Sequence, residues 1–395
     1  MSSVKPIVGS AKTRMTGLPA AIDRLTQWHV GEVLPLWASA GADERGCFYE
    51  SLDFDARPLL GQKRRVRVQC RQIHTFTDAA LRGWLPAGEA IAARGFARLL
   101  ETACPNEGAR GCVHALHDDG SVADRLRDLY DQAFLLLACA ARIRATNDPV
   151  ARGIAARTLA FLDREFSSPY GGYRENDRGG LPRRQNPHMH LFEATTALYE
   201  ATGERENLDR ASAVENLFRT RFIDREARAL REYFNDDWSL IDRVSEAIEP
   251  GHMAEWAHLL DRWARHSGAD RTGEIQLLCD AAARFVPAED PPFLPGKAVL
   301  GRPLQRSARR LWPQTEHLRA LLVLARTGDA GAAATAARLI DALFQSYFAT
   351  PTPGLWRDEF DEAGAPIAKD VPSSILYHLH EAVCWAADSR DMIAA

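Results

Sequence analysis

Apolar residues recur at helical spacing along most of this chain. From Ala20 to Ser39 the series Ile22, Leu25, Trp28, Val33 and Leu36 marks one face of a helix, and Gly41 supplies a stop. A second helical stretch runs from about Arg65 to Leu85. Between them Gly46-Cys47-Phe48-Tyr49-Glu50-Ser51-Leu52-Asp53 alternates as a short strand or hairpin does. The same shape returns at Gly111 to Gly120, Gly171 to Asp177, Leu230 to Asp237 and Gly354 to Asp361. Successive starts lie about 60 residues apart and the last step is about twice that, so one copy is missing. It should fall near residues 290–305, where Pro291, Pro292, Pro295, Gly296, Gly301 and Pro303 mark an irregular segment without the aromatic strand.

The chain therefore reads as six units, each a helix, a hairpin or loop, and another helix. Such units bury their apolar faces only against neighbours, in an open solenoid or a closed ring. An open array would carry polar end caps and a more regular consensus, so closure is expected. The fold class is all-α, a six-hairpin (α/α)6 barrel with the short hairpins gathered at one end. No linker rich in Gly, Ser or Pro divides it, which predicts one catalytic domain over residues 17–395 behind a loosely ordered tail, 1–16. The Ala-rich stretch Ala330 to Phe344 reads as an outer helix packed closely on its neighbour.

Composition narrows the classes. The 395 residues are 46% hydrophobic and 26% charged, with a formal net charge of -4, enough apolar content for a large core and no field that would attract nucleic acid or an anionic membrane. The basic runs at Lys63 to Arg65 and Arg306 to Arg310 are short and read as solvated or as cavity rim. No stretch of about 20 apolar residues spans a membrane and no secretory leader is evident, so a cytoplasmic monomer or homodimer is expected. The seven cysteines are scattered without CxxC spacing, which predicts reduced core thiols rather than a disulfide frame or zinc knuckle.

Candidate chemistry starts at Glu249-Pro250-Gly251-His252-Met253-Ala254-Glu255-Trp256. Pro and Gly open a helix there, and His252 and Glu255 share one face of its first turn. A lone pair of this kind is usually structural. Five other segments, however, place polar residues near the same phase of the repeat: Arg71 with Gln72, Tyr130 with Asp131 and Gln132, Asn186 with His188 and His190, Trp312 with Gln314 and Glu316, and Tyr377 with His378. In a closed ring these converge on one mouth, where packing alone would favour Leu or Ala. His114, His117 and His380 read instead as surface or supporting residues.

Five stretches carry a resemblance. Arg65-Val66-Arg67-Val68-Gln69-Cys70-Arg71-Gln72, Asn186 to Ala194, Glu249 to Trp256, Arg310-Leu311-Trp312-Pro313-Gln314-Thr315-Glu316 and Pro372 to His378 resemble the N-acylglucosamine 2-epimerase superfamily, most of all its mannose and sulfoquinovose aldose-ketose isomerase branch. Asp131-Gln132-Ala133-Phe134 departs from it, since relatives often carry His in place of Gln132. The resemblance implies a six-hairpin barrel, no metal, no cofactor, and histidine-mediated proton transfer at C1 and C2 of an open-chain sugar. Carried over by motif, Arg71, Asn186, His190, His252, Glu255, Gln314 and His378 form the functional set.

These residue types suit that chemistry. His378 is assigned as the base between C2 and C1, and His252 as the acid/base for ring opening and for protons on oxygen. Glu255 would orient or hold the charge of His252, and Arg71 would stabilise the enediolate. Asn186, His190, Gln314, Glu316 and Tyr130 are expected to bind hydroxyls, and Trp256, Trp312 or Tyr377 to offer apolar faces. The substrate expected is an unphosphorylated monosaccharide, most simply D-mannose converted to D-fructose, because a phosphate-binding glycine loop is absent. A sugar 2-epimerase uses the same groups. A glycoside hydrolase would draw on Asp131, Glu255 and Glu316 and leave the histidines idle, and a non-catalytic sugar-binding barrel would not turn sugar over. His190-x-x-Glu193 and His252-x-x-Glu255 each suit a helix-borne metal pair, but His188 and His190 point to different sides, so no metal is expected.

Overall fold

The computed structural model describes residues 17–288, 291–302 and 307–394, and the expected tail over residues 1–16 lies outside them. Leu18–Trp28 (α1) and Leu34–Ala40 (α2) form one rod through a wide π-type turn at His29–Val33, which accommodates Pro35 where a regular helix would lose a hydrogen bond and clash. The helices that follow are Val66–Leu81 (α3), Gly88–Ala103 (α4), Leu129–Thr146 (α5), Pro149–Phe161 (α6), Gln185–Thr202 (α7), Arg205–Leu217 (α8), Pro250–Ser267 (α9), Thr272–Ala283 (α10), Leu311–Arg326 (α11), Ala330–Gln345 (α12) and Ser374–Ala394 (α13).

Six of them make an inner ring. α3 packs on α5, α5 on α7, α7 on α9, α9 on α11, α11 on α13, and α13 returns to α3. The α1–α2 rod, α4, α6, α8, α10 and α12 lie outside, each packed on an inner helix. Burial explains the division. α5 is buried almost all round, from Leu129 to Ile143, whereas α12 buries only Ala332, Ala336, Ala337, Leu339, Ile340 and Leu343 along one stripe. Left-handed residues end several inner helices, among them Asn147, Gly203 and Gly268, turning the chain back to the outer layer.

Closure is visible in the hairpins. The two or so residues before each inner helix pair with the hairpin of the next unit: Arg64–Arg65 with Ala115–Leu116, Asp128 with Asn176, Arg183–Arg184 with Tyr233–Phe234, Ala247–Ile248 with Ala298–Val299, and Arg309–Arg310 with Glu359–Phe360. The sixth pair, Val371–Pro372 with Ser51–Leu52, joins the last unit to the first. The fifth unit lacks the aromatic strand, as expected, but still pairs through a two-residue strand at Ala298–Val299. Ladder pairing is made by backbone groups, so it survives the loss of aromatic side chains that made the other copies readable. Residues 289–290 and 303–306 of that segment lie outside the described residues.

Candidate active site

Counted from the helix starts, the second residues of the inner helices are Arg67, Tyr130, Asn186, Gly251, Trp312 and Ile375, and the sixth are Arg71, Phe134, His190, Glu255, Glu316 and Leu379. Residues four apart share a helix face. Most of these face a cavity of about 390 Å³ at the hairpin end, lined also by Arg65, Glu249, His252, Arg310, Asp358, Asp370, Pro372, Ser374 and His378. Gly251 is required by packing, because a Cβ there would stand 2.7 Å from the Trp312 ring. Trp312 lies against both key histidines, its ring 5.0 Å from His252 and 5.8 Å from His378. Two wider depressions on the outside, over α6 with α8 and α10 with α12, are gaps between outer helices set on a larger circle than the inner ring.

His252 is buried, and Glu232 holds it. Its Nδ1 lies 3.0 and 3.1 Å from the two carboxylate oxygens of Glu232, and its Nε2 is 3.0 Å from the Asn186 amide. Burial alone would lower the imidazole pKa, but the charge and hydrogen bond of Glu232, with Glu249 nearby, raise it to about 10. His252 is thus an imidazolium at neutral pH, with N–H groups at both ring nitrogens. The Asn186 atom facing Nε2 is Nδ2, with Oδ1 left unpartnered; the amide turned over by half a rotation presents Oδ1 to an Nε2–H and satisfies both groups.

His378 is the opposite case. Glu316 accepts from its Nδ1 at 2.8 Å, while burial, Arg71, His190 and Arg319 push its pKa well below the usual imidazole value. The ring is neutral with the proton on Nδ1, leaving Nε2 as a lone-pair acceptor. Arg71 donates to Tyr130 Oη at 2.9 Å and sits over the ring of Phe134 at 4.3 Å, and no carboxylate pairs with it among the described residues. His190 donates from Nδ1 to Glu193 at 3.0 Å, Tyr130 Oη lies 3.3 Å from its Nε2, and burial lowers its pKa to about 4. Glu193 also accepts from the Tyr377 hydroxyl. Glu255, buried near Glu316 and Glu193, is pushed well above the usual carboxyl range by burial first and by the neighbouring carboxylates second.

The cavity brings together Arg71, Tyr130, Asn186, His190, His252, Glu255, Trp312 and His378. Three expectations are corrected. Gln314 is not at the wall: its amide clamps the Leu294 backbone, accepting at 2.8 Å and donating at 2.9 Å. It is the fourth residue of its helix, where Gln69 clamps Phe48 and Gln132 clamps Cys112 in the same way. His188 occupies that place in α7 and accepts from Tyr173 N at 3.0 Å, so a His there substitutes for Gln132 as a clamp. Glu316 lies behind the wall, fully buried, accepting from His378, His258 at 2.8 Å and Arg319 at 3.1 Å. Glu255 does not hold His252, because Glu232 occupies its Nδ1 and Asn186 its Nε2.

The tryptophan and tyrosine options also narrow. Trp256 is buried against Phe192 and Phe218, donating to Gln185, and Tyr377 is spent on Glu193, so Trp312 supplies the aromatic wall. Of the histidines expected at the surface or in supporting places, His380 is fully buried beside Asp78 and His29, and His114 is partly exposed and bonds Asp131 at 2.6 Å. Among the described residues two groups have metal-ligand spacing, Asp78 with His380 and Cys384, and Glu255 with Glu316 and His378. In the first Asp78 already pairs with Arg82 and Arg144, and in the second the oxygens of Glu316 are taken by three N–H donors. Neither donor set fits a cation well.

The comparisons agree with this geometry. The profile of the family described as N-acylglucosamine 2-epimerase (GlcNAc 2-epimerase) matches residues 46–382. A protein named mannose-6-phosphate isomerase from Rhizobium meliloti (strain 1021) is 35% identical, covering 90% of this chain and 94% of its own length. A D-mannose isomerase from Thermobifida fusca is 29% identical over 87% of this chain and 89% of its own. The solved structure of cellobiose 2-epimerase from Spirochaeta thermophila superposes with a TM-score of 0.85 at 23% identity, covering 96% of this chain and 98% of that one. The chain belongs to the N-acylglucosamine 2-epimerase family, and it is a sugar isomerase or epimerase.

Proposed function

We propose that the chain interconverts D-mannose and D-fructose through a cis-enediolate. The observation that carries this reading is that two buried histidines face one cavity, His252 held at Nδ1 by Glu232 and His378 by a Glu316 that Arg319 also contacts, an arrangement that charges the first ring and leaves the second neutral. His252 donates its proton to the ring oxygen as the C1–O5 bond opens and recovers one from the C1 hydroxyl. His378 Nε2 takes the proton from C2, Arg71 meets the oxyanion that forms, and His378 returns the proton to C1 on the same face. His252 and the neutral carboxyl of Glu255 shift the remaining proton between O1 and O2.

Epimerisation is the second reading, favoured by the same pair of rings, since inversion at C2 needs a base on one face and an acid on the other. A pKa of about 10 makes His252 a reluctant donor to carbon while leaving it a good hydrogen-bond donor to oxygen, which favours the isomerase. A free sugar fits the rim better than a phosphorylated one. Arg65, Arg67 and Arg310 are paired with Glu50, Asp131 and Asp358, and Asp370 and Glu249 add negative charge. The relative named for mannose 6-phosphate makes that sugar the comparison to run.

The test is incubation with mannose, mannose 6-phosphate, glucose, N-acetylglucosamine and cellobiose in deuterated water, with and without a chelator. Fructose from mannose, with part of the C2 hydrogen found at C1 and no effect of the chelator, is the expected result. Glucose as the main product from mannose, or turnover confined to the other sugars, would overturn the assignment, and loss of activity on chelation restored by one metal would overturn its metal-free chemistry.

A further inference from the structure

The hairpin ahead of each of three inner helices places a glutamate against the residue that precedes the helix. Glu50 accepts from Arg65 N at 3.0 Å, Glu175 from Arg184 N at 3.0 Å, and Glu232 from Glu249 N at 3.3 Å. In the first two cases the residue is arginine and its guanidinium also pairs with the glutamate side chain. In the third it is Glu249, which cannot do so and makes no capping hydrogen bond of its own. Asp128, the acidic residue at the same place before α5, caps its helix through Tyr130 N at 2.8 Å.

Among the described residues no arginine pairs with Glu232. Gln185 orients it, donating from Nε2 at 2.9 Å while its oxygen accepts from Trp256, and both carboxylate oxygens then reach His252 Nδ1. We propose that Glu232 is a positioning residue which keeps His252 an imidazolium in its working orientation, and that Glu in place of Arg at position 249 is what frees it for that task. This rests on the reading of His252 as the acid that works on sugar oxygens. The other charged and titratable groups facing His252 are Glu249 just ahead of α9, Glu255 on α9, His190 on α7, His378 on α13 and Arg71 on α3, with Asn186 and Trp312 completing its surroundings. Arg71, the positive one, opposes its charge, and of the acids Glu232 is the one hydrogen-bonded to its ring.

The experiment follows the imidazole nitrogens of His252 by NMR across pH in the full chain, together with kcat and KM for mannose. In the native chain His252 stays charged through pH 8, and kcat does not fall with the deprotonation of this ring below that point. Glu232→Gln brings the titration midpoint down from about 10 to neutrality or below. In that variant kcat falls at least tenfold between pH 6 and 8 with KM little changed, and Glu232→Asp recovers most of the native profile. Glu249→Arg reproduces the alkaline loss while leaving Glu232, His252 and Asn186 in the chain, because the new guanidinium takes Glu232 as Arg65 takes Glu50. An unchanged His252 midpoint in Glu232→Gln, or an equal loss of kcat at every pH, would overturn the proposal. If Glu232→Gln does not fold, Glu249→Arg decides by the same readouts. The NMR titration needs no substrate, so a chain that turns over none of the sugars fails the isomerase reading while the hold of Glu232 on His252 is still measured.

Discussion

His252 and His378 are buried to the same 5% exposure, and each points Nδ1 at a glutamate. The His378–Glu316 contact is the shorter, 2.8 against 3.0 Å, yet His378 is the neutral ring. What differs is the company each carboxylate keeps. Glu232 receives Gln185 and His252, so its charge is answered by one imidazole. Glu316 also takes His258 and the guanidinium of Arg319, and Arg71 adds a second positive charge near His378. In these two pairs the carboxylate already neutralised by arginine orients its histidine without charging it, whereas Glu232 does both for His252.

The largest expected effect comes from removing the neutral partner. His378→Asn should lower kcat at least about a thousandfold and abolish exchange of the C2 hydrogen with solvent, while mannose binding measured by calorimetry stays within a few-fold. Exchange at the native rate in that variant would move the carbon base to another residue and dissolve the contrast between the two rings.

Changing Arg319 should turn His378 into a second His252. In Arg319→Gln the charge of Glu316 falls to His378 and His258, so His378 takes up a proton near neutrality and loses its lone pair. Turnover at pH 7 should drop about tenfold and recover toward pH 9, with a shift of the acid limb that a simple packing defect would not produce. Arg319 also pairs with Glu381 at 3.3 Å, so the variant should lose about 3–5 kcal/mol in urea unfolding. A pH profile parallel to that of the native enzyme would show that Arg319 does not set the state of His378.

Much of this architecture can be read from the sequence, and the places where reading fails share a cause. The hairpins at Gly46, Gly111, Gly171, Leu230 and Gly354 announce themselves by aromatic alternation, and they yield the six-unit ring and the mouth. A period of about 60 residues is too coarse a ruler for single side chains, however, because hairpin lengths vary from unit to unit. Measured by that ruler Gln314 aligns with Arg71 and Asn186, but counted from the start of its helix it falls with Gln69 and Gln132, which clamp hairpins. Glu316 keeps the right phase and still lies behind the wall, since Trp312 fills the mouth in front of it. Glu232 was hidden differently. Its sequence neighbourhood matches that of Glu50 and Glu175, and its role comes from a residue far along the chain, the Glu249 that stands where Arg65 and Arg184 stand in their units.

The smallest effect concerns Glu255, whose environment resembles that of His378 in burial but contains two further acids rather than an arginine-neutralised one alone. An unfolded glutamate ionises near 4.5, while burial together with Glu316 and Glu193 keeps folded Glu255 protonated well above that value. Above 4.5 the folded chain therefore binds one more proton than the unfolded chain at this site. The contribution to stability is full below 4.5 and declines by about 1.4 kcal/mol for each pH unit above it, until Glu255 itself ionises. Glu255→Gln removes the titrating group and keeps a neutral side chain of similar shape, so its stability relative to the native chain should rise between pH 5 and 6.5, by at most about 1.4 kcal/mol per pH unit. His252, charged in the fold across that interval while the unfolded ring begins to lose its proton near 6.5, contributes the same slope to both chains and drops out of the difference. Urea unfolding of both chains at the two pH values measures the difference, and parallel curves would mean that Glu255 is ionised in the fold and that His252 is held by two charged glutamates rather than one.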